Sequence, residues 1–324
     1  MFKNTIIILL ITISIFITIE IITRIFLFFY LNNPNAGINE RQKNLKYESF
    51  VMFGPGWEKK YFNNSSNNNN NKVILILGGS TAEGFPQNII KNEFKNIFGL
   101  DVNVYNLAFG GYVAKQELIN LILHINKISP DIIINISGAN DIVFSLRQTK
   151  PNKFLLDSTY SNILKRPYLG PLIWILQNSQ FYNSLNRFYA RSKKTDFESK
   201  IEFLDSYVDT SVIISEISKL YSKKYIHILQ PHLLFKNKKS KQEKKYTRYD
   251  YRNEFVKKSY NYILTQLKNK KIFNECELFN GNNFFINNEK NIFKDDVHFI
   301  DDNGYKIIIQ NVLECLEEKK IKDW

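Results

Sequence analysis

The hydrophobic pattern of the chain changes character near residue 72. Upstream, Thr5–Ile19 (TIIILLITISIFITI) runs fifteen residues without a charge. The apolar run continues as Ile21–Thr23 and Ile25–Leu31, broken only by Glu20 and Arg24. Downstream, apolar residues come in short blocks: KVILILGG at 72–79, VNVYNLA at 102–108, DIIINIS at 131–137 and KYIHILQ at 224–230. Continuous apolar runs of this length read as strands covered on both faces. Segments of helical period fill the intervals: 88–98, 113–128, 197–222, 252–270 and 303–319, with Pro130 just past the second. Strands alternating with helices predict an α/β sandwich around a parallel sheet. In such sheets functional groups collect just past the C-terminal ends of the strands.

The N-terminal run reads as an anchor. Thr5–Ile19 alone would extend about 22 Å as a helix, short of a ~30 Å hydrocarbon core. Thr5–Leu31 as a whole is long enough to cross with tilt. Glu20 and Arg24 stand four apart, on one helix face, where they can neutralise each other. Arg24 can snorkel towards an interface, with Phe28, Phe29 and Tyr30 as an aromatic belt. Residues 1–31 are therefore read as a transmembrane helix. A cleaved signal peptide would be shorter and end in small residues, and Asn35-Ala36-Gly37 is a poor match. Charge does not orient the segment, because Lys3 on one side is answered by Arg41, Lys43 and Lys46 on the other.

Residues 32–71 read as a linker ending in the Asn63–Asn71 run (NNSSNNNNN), which has nothing to bury. The more apolar Phe50–Trp57 within it is a candidate for docking onto the next domain. Residues 72–324 form the catalytic-domain candidate. A Tyr-, Phe- and Leu-rich insertion near 142–200 is expected to make a helical cap beside the site. The Lys-rich Lys236–Arg248 reads as a solvated loop, with contact to an anionic polymer or lipid as the sharper alternative. No repeat of 20–50 residues is present.

Composition narrows the class. The chain has 324 residues, 44% hydrophobic and 23% charged, which excludes a wholly disordered chain and a polytopic membrane protein. The net charge of +13 is spread through Asn/Lys/Ile-rich stretches and is not weighed as a sign of function. Two cysteines, Cys276 and Cys315, exclude a disulfide scaffold and a cysteine-ligated structural zinc site. Their spacing does not decide whether they pair. There are four histidines: His124, His227, His232 and His298.

The candidate chemistry lies where the strands end. After the first comes Gly78-Gly79-Ser80-Thr81-Ala82-Glu83-Gly84, a tight turn with Ser80 near a helix N-terminus. Alone it fits a nucleophile, a helix cap or a phosphate cradle, although it lacks the P-loop lysine and the G-x-G-x-x-G spacing. The second strand ends in Asn106-Leu107-Ala108-Phe109-Gly110-Gly111-Tyr112. The third ends in Ser137-Gly138-Ala139-Asn140-Asp141, where the Asn140 amide can donate to an anion. Near the C-terminus stands Asp295-Asp296-Val297-His298. A carboxylate three residues from a histidine in a turn can accept from Nδ1–H and leave Nε2 free as a base. Asp141 reads as loop support, Glu83 as an acid favoured near a helix N-terminus, His124 as structural and His227 as buried and hydrogen-bonded. His232, after Gln230-Pro231 at a strand end, is either a loop residue or a substrate contact. No cluster has metal-ligand spacing.

Together these four blocks resemble the SGNH (GDSL-like) hydrolase family, in the family's order: GGSTAEG, NLAFGGY, GAND and DDVH. The resemblance covers about Lys72 to Leu316. One departure is Gly79, where the name motif has aspartate before serine. The resemblance implies a flavodoxin-like three-layer α/β/α sandwich. It implies Ser80 as nucleophile, His298 as base and Asp295, rather than Asp296, as its carboxylate. An oxyanion hole would be made by Ser80 N–H, the Asn140 amide and Gly111 N–H, preferred over Gly110 because it directly precedes Tyr112. The expected activity is hydrolysis of acyl esters, acetyl esters first, through an acyl-enzyme without cofactor or metal. An O-acyltransferase on the same scaffold and a non-catalytic glycan-binding module are the alternatives. The expected partners are an acylated carbohydrate or lipid of the cell envelope and a membrane reached by the N-terminal helix. Nucleic acid is not expected, since the basic loop carries no recognised motif. The domain is expected on the extracytoplasmic side, and the oligomeric state is left open.

Overall fold

The computed structural model describes residues 2–30, 54, 71–147, 179, 196–222, 224–247 and 251–319. The Phe50–Trp57 patch (Gly54 aside), the asparagine run up to residue 70 and most of the 142–200 insertion lie outside the described residues. The chain divides into two compact units, Met1–Tyr47 with Leu156–Lys194, and Glu48–Leu155 with Thr195–Trp324.

In the first unit, helix α1 (Phe2–Tyr30) takes up the N-terminal apolar segment. Thr12, Thr18 and Thr23 return their hydroxyls to the carbonyls of Ile8, Ser14 and Ile19, so these polar groups are satisfied within the helix. Glu20 accepts from Ser179 Oγ at 2.7 Å. Among the described residues no helix is long and apolar enough to cross a membrane. The transmembrane helix expected from the sequence is therefore not shown among the described residues.

The second unit is an α/β sandwich. Its strands are β1 (Lys72–Gly78), β2 (Val102–Asn106), β3 (Ile132–Ser137), β4 (Lys224–Leu229) and β5 (Leu278–Asn280). They pair in the order β2-β1-β3-β4-β5, all parallel. That is the order of a flavodoxin-like doubly wound sheet. The helices of this unit are α2 (Ser80–Glu83), α3 (Gln87–Phe98), α4 (Ala114–Ile128), α5 (Ala139–Arg147), α6 (Ile201–Tyr221), α7 (Glu243–Tyr246), α8 (Tyr251–Asn269) and α9 (Asp302–Glu318).

Side chains alternate across the strands and so fill two cores. On one face Ile74, Ile76, Ile134 and Ile228 pack with Phe94 of α3 and Ile308, Val312 and Leu316 of α9. On the other, Leu229 packs with Leu204 and Tyr207 of α6 and Phe255 and Ile263 of α8. Each fully buried aliphatic side chain contributes about 1.5–3 kcal/mol. Strand β5 has only three residues, and its pattern is too short to read from the sequence. Cys276, just before β5, is joined to Cys315 of α9 by a disulfide with a Cα–Cα distance of 5.9 Å.

The strand order fixes the site. The order in which strands are added reverses at β1, with β2 on one side of it and β3 on the other, so the loops after β2 and β3 flank the C-terminal end of β1. Gly111 lies in the loop after β2 and Asn140 in the first turn of α5 after β3, and Asn140 Nδ2 and Tyr112 O both approach Gly79, the residue before Ser80.

Candidate active site

Ser80 is the first residue of α2 and follows β1 after a single residue. Its Oγ lies 2.6 Å from His298 Nε2. His298 Nδ1 lies 2.7 Å from Asp295 Oδ2. The other carboxylate oxygen, Oδ1, accepts from the backbone N–H of Val297 at 2.9 Å and of His298 at 2.8 Å. Burial pushes the Asp295 carboxyl up, but the hydrogen bond from His298, these backbone donors and the charge of His298 outweigh it. The group is held below its ordinary value. An ionised Asp295 accepts from Nδ1–H and leaves the Nε2 lone pair to take the serine proton.

The Asp295–His298 turn is braced from below. Phe293 and Phe299 pair as an antiparallel bridge, and Lys294 N–H donates to His298 O at 2.9 Å. The rings of Phe285, Phe293 and Phe299 lie 5.3–5.4 Å apart, and Tyr305 meets Phe299 edge-on at 4.9 Å. The Lys-rich loop expected in solvent supplies a further brace. The Lys236 and Glu243 side chains are wholly buried and paired at 2.7 Å. Glu243 Oε1 accepts from Ile292 and Phe293 N–H at 3.0 and 3.1 Å, and Lys236 Nζ also donates to Lys290 O. Lys236, at the start of the loop, and Glu243, in its middle, turn inward because each charge finds its opposite and a set of backbone partners, while Lys238, Lys241, Lys244 and Lys245 are exposed as the sequence reading expects.

The three candidate oxyanion donors converge at the ends of β1, β2 and β3. Ser80 N–H opens a helix, where it has no intrahelical acceptor. Gly111 adopts φ +89°, a left-handed conformation that favours glycine. Gly110 N–H is taken by Glu83 Oε2 at 3.0 Å, whereas Gly111 N–H has no partner among the described residues. Glu83 thus ends its helical turn as an acceptor for the glycine loop, a role its position near a helix start did not suggest. One Asn140 Nδ2 hydrogen goes to Tyr112 O at 2.8 Å. The amide has a second N–H to offer. Asp141 accepts from Ala114 N–H at 3.2 Å to each of its oxygens. Asn140 and Asp141 therefore pin the segment from Tyr112 to Ala114 from both ends. Burial pushes the Asp141 carboxyl up to about 7 and the neighbouring Glu117 up to about 8, the Asp141 charge adding to the latter.

Two residues that the sequence pattern does not single out join the array. Thr81 Oγ1 donates to Val297 O at 3.0 Å and accepts from Gln230 Nε2 at 2.8 Å. Tyr260 OH in turn donates to Gln230 O at 2.9 Å. This buried chain ties the residue after Ser80 to the residue before His298. Only Thr81's place next to a candidate nucleophile could have signalled it. Two of the remaining histidines are elsewhere. His227 is fully buried between Tyr207 OH and Tyr225 OH, each at 3.0 Å, and burial holds it neutral, down to about 3. His124 is buried on α4. Among the described residues no group of His, Cys, Asp and Glu is arranged to hold a metal.

The site is thus a serine hydroxyl on a histidine and the histidine on an ionised carboxylate, with candidate N–H donors at the ends of the neighbouring strands. No protein-family profile matches the chain, and no curated protein does. Among solved structures, a catalytic mutant of an acetylxylan esterase from Geobacillus stearothermophilus is similar at 12% identity. It covers 76% of this chain and 94% of its own, with a TM-score of 0.45. A putative acylhydrolase from Bacteroides fragilis is 12% identical over 84% of this chain and 99% of its own, with a TM-score of 0.46. A GDSL-like lipase from Bacteroides thetaiotaomicron is 14% identical over 76% of this chain and 89% of its own, with a TM-score of 0.40.

Proposed function

We propose that this chain is a serine esterase that cleaves acyl esters through an acyl-enzyme on Ser80. The observation that carries the reading is the continuous line from Ser80 Oγ to His298 Nε2 at 2.6 Å and from His298 Nδ1 to Asp295 at 2.7 Å. Ser80 Oγ attacks the ester carbonyl carbon while His298 Nε2 takes its proton. The charge that develops on the carbonyl oxygen is received by Ser80 N–H, Gly111 N–H and the free Asn140 N–H. The tetrahedral intermediate collapses, the C–O bond breaks, and His298 returns the proton to the departing alkoxide. Water then repeats the sequence on the acyl-enzyme, releasing the acid and restoring the serine.

The substrate proposed is an acetyl or other short acyl ester of a cell-envelope carbohydrate or lipid. A site on the extracytoplasmic side is supported by the Cys276–Cys315 disulfide, since such bonds persist in oxidising compartments. Membrane attachment through α1 is supported by isoleucines exposed on opposite faces of that helix, Ile8, Ile15 and Ile22 on one and Ile13, Ile17 and Ile21 on the other. Protease accessibility of the domain in intact spheroplasts, with fractionation of the membranes, tests both points.

Activity on p-nitrophenyl acetate tests the chemistry. Ser80→Ala is expected to reduce kcat by about 10³-fold or more. A Ser80→Ala protein as active as the native one contradicts the reading.

A further inference from the structure

The loop after β4 carries a second imidazole towards the same site. His232 is 8% exposed and held on three sides. Its backbone N–H donates to Asn282 Oδ1 at 2.8 Å, its Nδ1 accepts from Leu234 N–H at 3.2 Å, and Tyr260 meets its ring edge-on at 5.9 Å. The next residue is fastened to the catalytic turn, with Leu233 N–H donating to Asp296 O at 2.8 Å. Burial pushes the imidazole down to about 4, the nearby Asp295 charge opposing this and Lys239 adding to it.

These contacts settle the chemistry of the ring. A neutral imidazole that accepts at Nδ1 carries its proton on Nε2. That Nε2–H has no hydrogen-bond partner among the described residues. Nor is it one of the described buried side-chain atoms sealed from solvent without a partner. His232 therefore presents a fixed, unused donor at its exposed edge, on a ring that packing prevents from turning away.

Its place in the fold says which part of a substrate it meets. The oxyanion donors stand at the ends of β1, β2 and β3, so the carbonyl oxygen points to that side. His232 stands past the end of β4, on the side of the Asp295–His298 turn. The leaving oxygen must lie close to His298 Nε2, because that atom returns its proton. A donor on this side reaches the alcohol portion of the ester rather than the acyl portion.

We propose that His232 is a specificity-determining residue whose Nε2–H donates to an oxygen of the alcohol portion, so that esters of polyhydroxylated, sugar-like alcohols are preferred. The proposal rests on the serine esterase reading and extends it to the substrate class. A simple alkyl or aryl alcohol offers this donor nothing beyond the ester oxygen itself, whereas a sugar ring offers ring and hydroxyl oxygens.

The test compares two acetates with the full chain: phenyl acetate, and a methyl glycoside bearing a single acetyl ester. The readout is the ratio of their kcat/KM values in the native protein, in His232→Phe, which keeps an aromatic ring against Tyr260, and in His232→Gln, which keeps a side-chain N–H. His232→Phe is expected to shift the ratio against the glycoside by about tenfold, the scale of one hydrogen bond. His232→Gln is expected to recover part of that shift, and thermal melts confirm that both variants fold. An unchanged ratio in both variants, or a native protein that turns over phenyl acetate and not the glycoside, overturns the assignment of His232 while leaving the esterase reading intact. A native protein inactive on both esters overturns the esterase reading and this one with it.

Discussion

The side-chain amide of Asn140 occupies the space where a side chain at position 79 would begin. A Cβ added to Gly79 would stand well inside contact distance of Asn140 Nδ2. The donor at the end of β3 thus leans over the backbone that precedes Ser80. The backbone of Gly79, at φ −89° and ψ −153°, is open to other residues. Gly79→Ala should therefore act by displacing the amide rather than by straining the chain. We expect kcat to fall by about 10²–10³-fold, the cost of one oxyanion donor, with little change in Tm. Native kcat in this variant contradicts a role for Asn140 in the hole.

Thr81 holds two segments of the site together. Thr81→Val keeps the shape and removes the hydroxyl, leaving Val297 O and Gln230 Nε2 without their partner. Unsatisfied buried polar groups cost about 1–3 kcal/mol each. We expect a lower Tm together with a lower kcat, and recovery of kcat in Thr81→Ser. A variant that loses stability and keeps native kcat would show that the chain serves folding alone.

The carboxyl of Glu117 gives a pH dependence of stability. It accepts from Ser137 Oγ at 2.8 Å and Asn135 Nδ2 at 3.1 Å, and burial raises it well above the ordinary carboxylate range, to about 8. A group whose folded value is raised binds its proton more tightly in the native state. Its contribution is fully present below the unfolded value and is lost as pH rises through the folded one. Thermal melts between pH 5 and 8 should therefore show Tm falling as pH rises. Glu117→Gln, which cannot ionise, should flatten that slope. An equal slope in the variant contradicts the assignment.

The disulfide closes a loop between positions 39 apart in sequence. Loss of that closure costs about 4 kcal/mol on the chain-entropy scale. The bond joins the approach to β5 with α9 and touches none of the catalytic candidates. Cys276→Ser with Cys315→Ser is expected to melt lower while retaining turnover on p-nitrophenyl acetate below the new Tm. An unchanged Tm would show that the pairing contributes nothing to the fold in solution.

Much of this architecture was legible from the strand pattern. The runs beginning at Val73, Val102, Ile132 and Tyr225 are continuous and apolar because helices cover both faces of a parallel sheet, and that signal is local. Strand β5 was not legible, since Leu278–Asn280 is too short to show a pattern. The positions of Ser80, Gly111, Asn140, Asp295 and His298 could be singled out because each is a chemically distinctive residue at a strand end or turn. The support beneath them could not. Thr81, Lys236 and Glu243 are polar residues in polar-looking segments and Gln230 closes an apolar run, and only the long-range return of the chain shows that their partners include Val297, Lys290, Phe293 and Thr81. That a side chain at Gly79 would meet Asn140, from another strand end, was not legible either. The pairing of Cys276 with Cys315 was likewise beyond the spacing of two cysteines. The N-terminal segment is the converse case, an apolar signal strong in sequence for which the described residues show no spanning helix.

The most direct test of the central claim is covalent. A fluorophosphonate probe reacts with a serine only when a neighbouring base takes its proton and a set of donors stabilises the adduct. Intact-mass analysis of the labelled chain, combined with peptide mapping, should show one adduct, on Ser80, lost in Ser80→Ala and slowed by at least about 10²-fold in His298→Ala. A chain that takes up no probe, or takes it up elsewhere with Ser80 unmodified, contradicts the account.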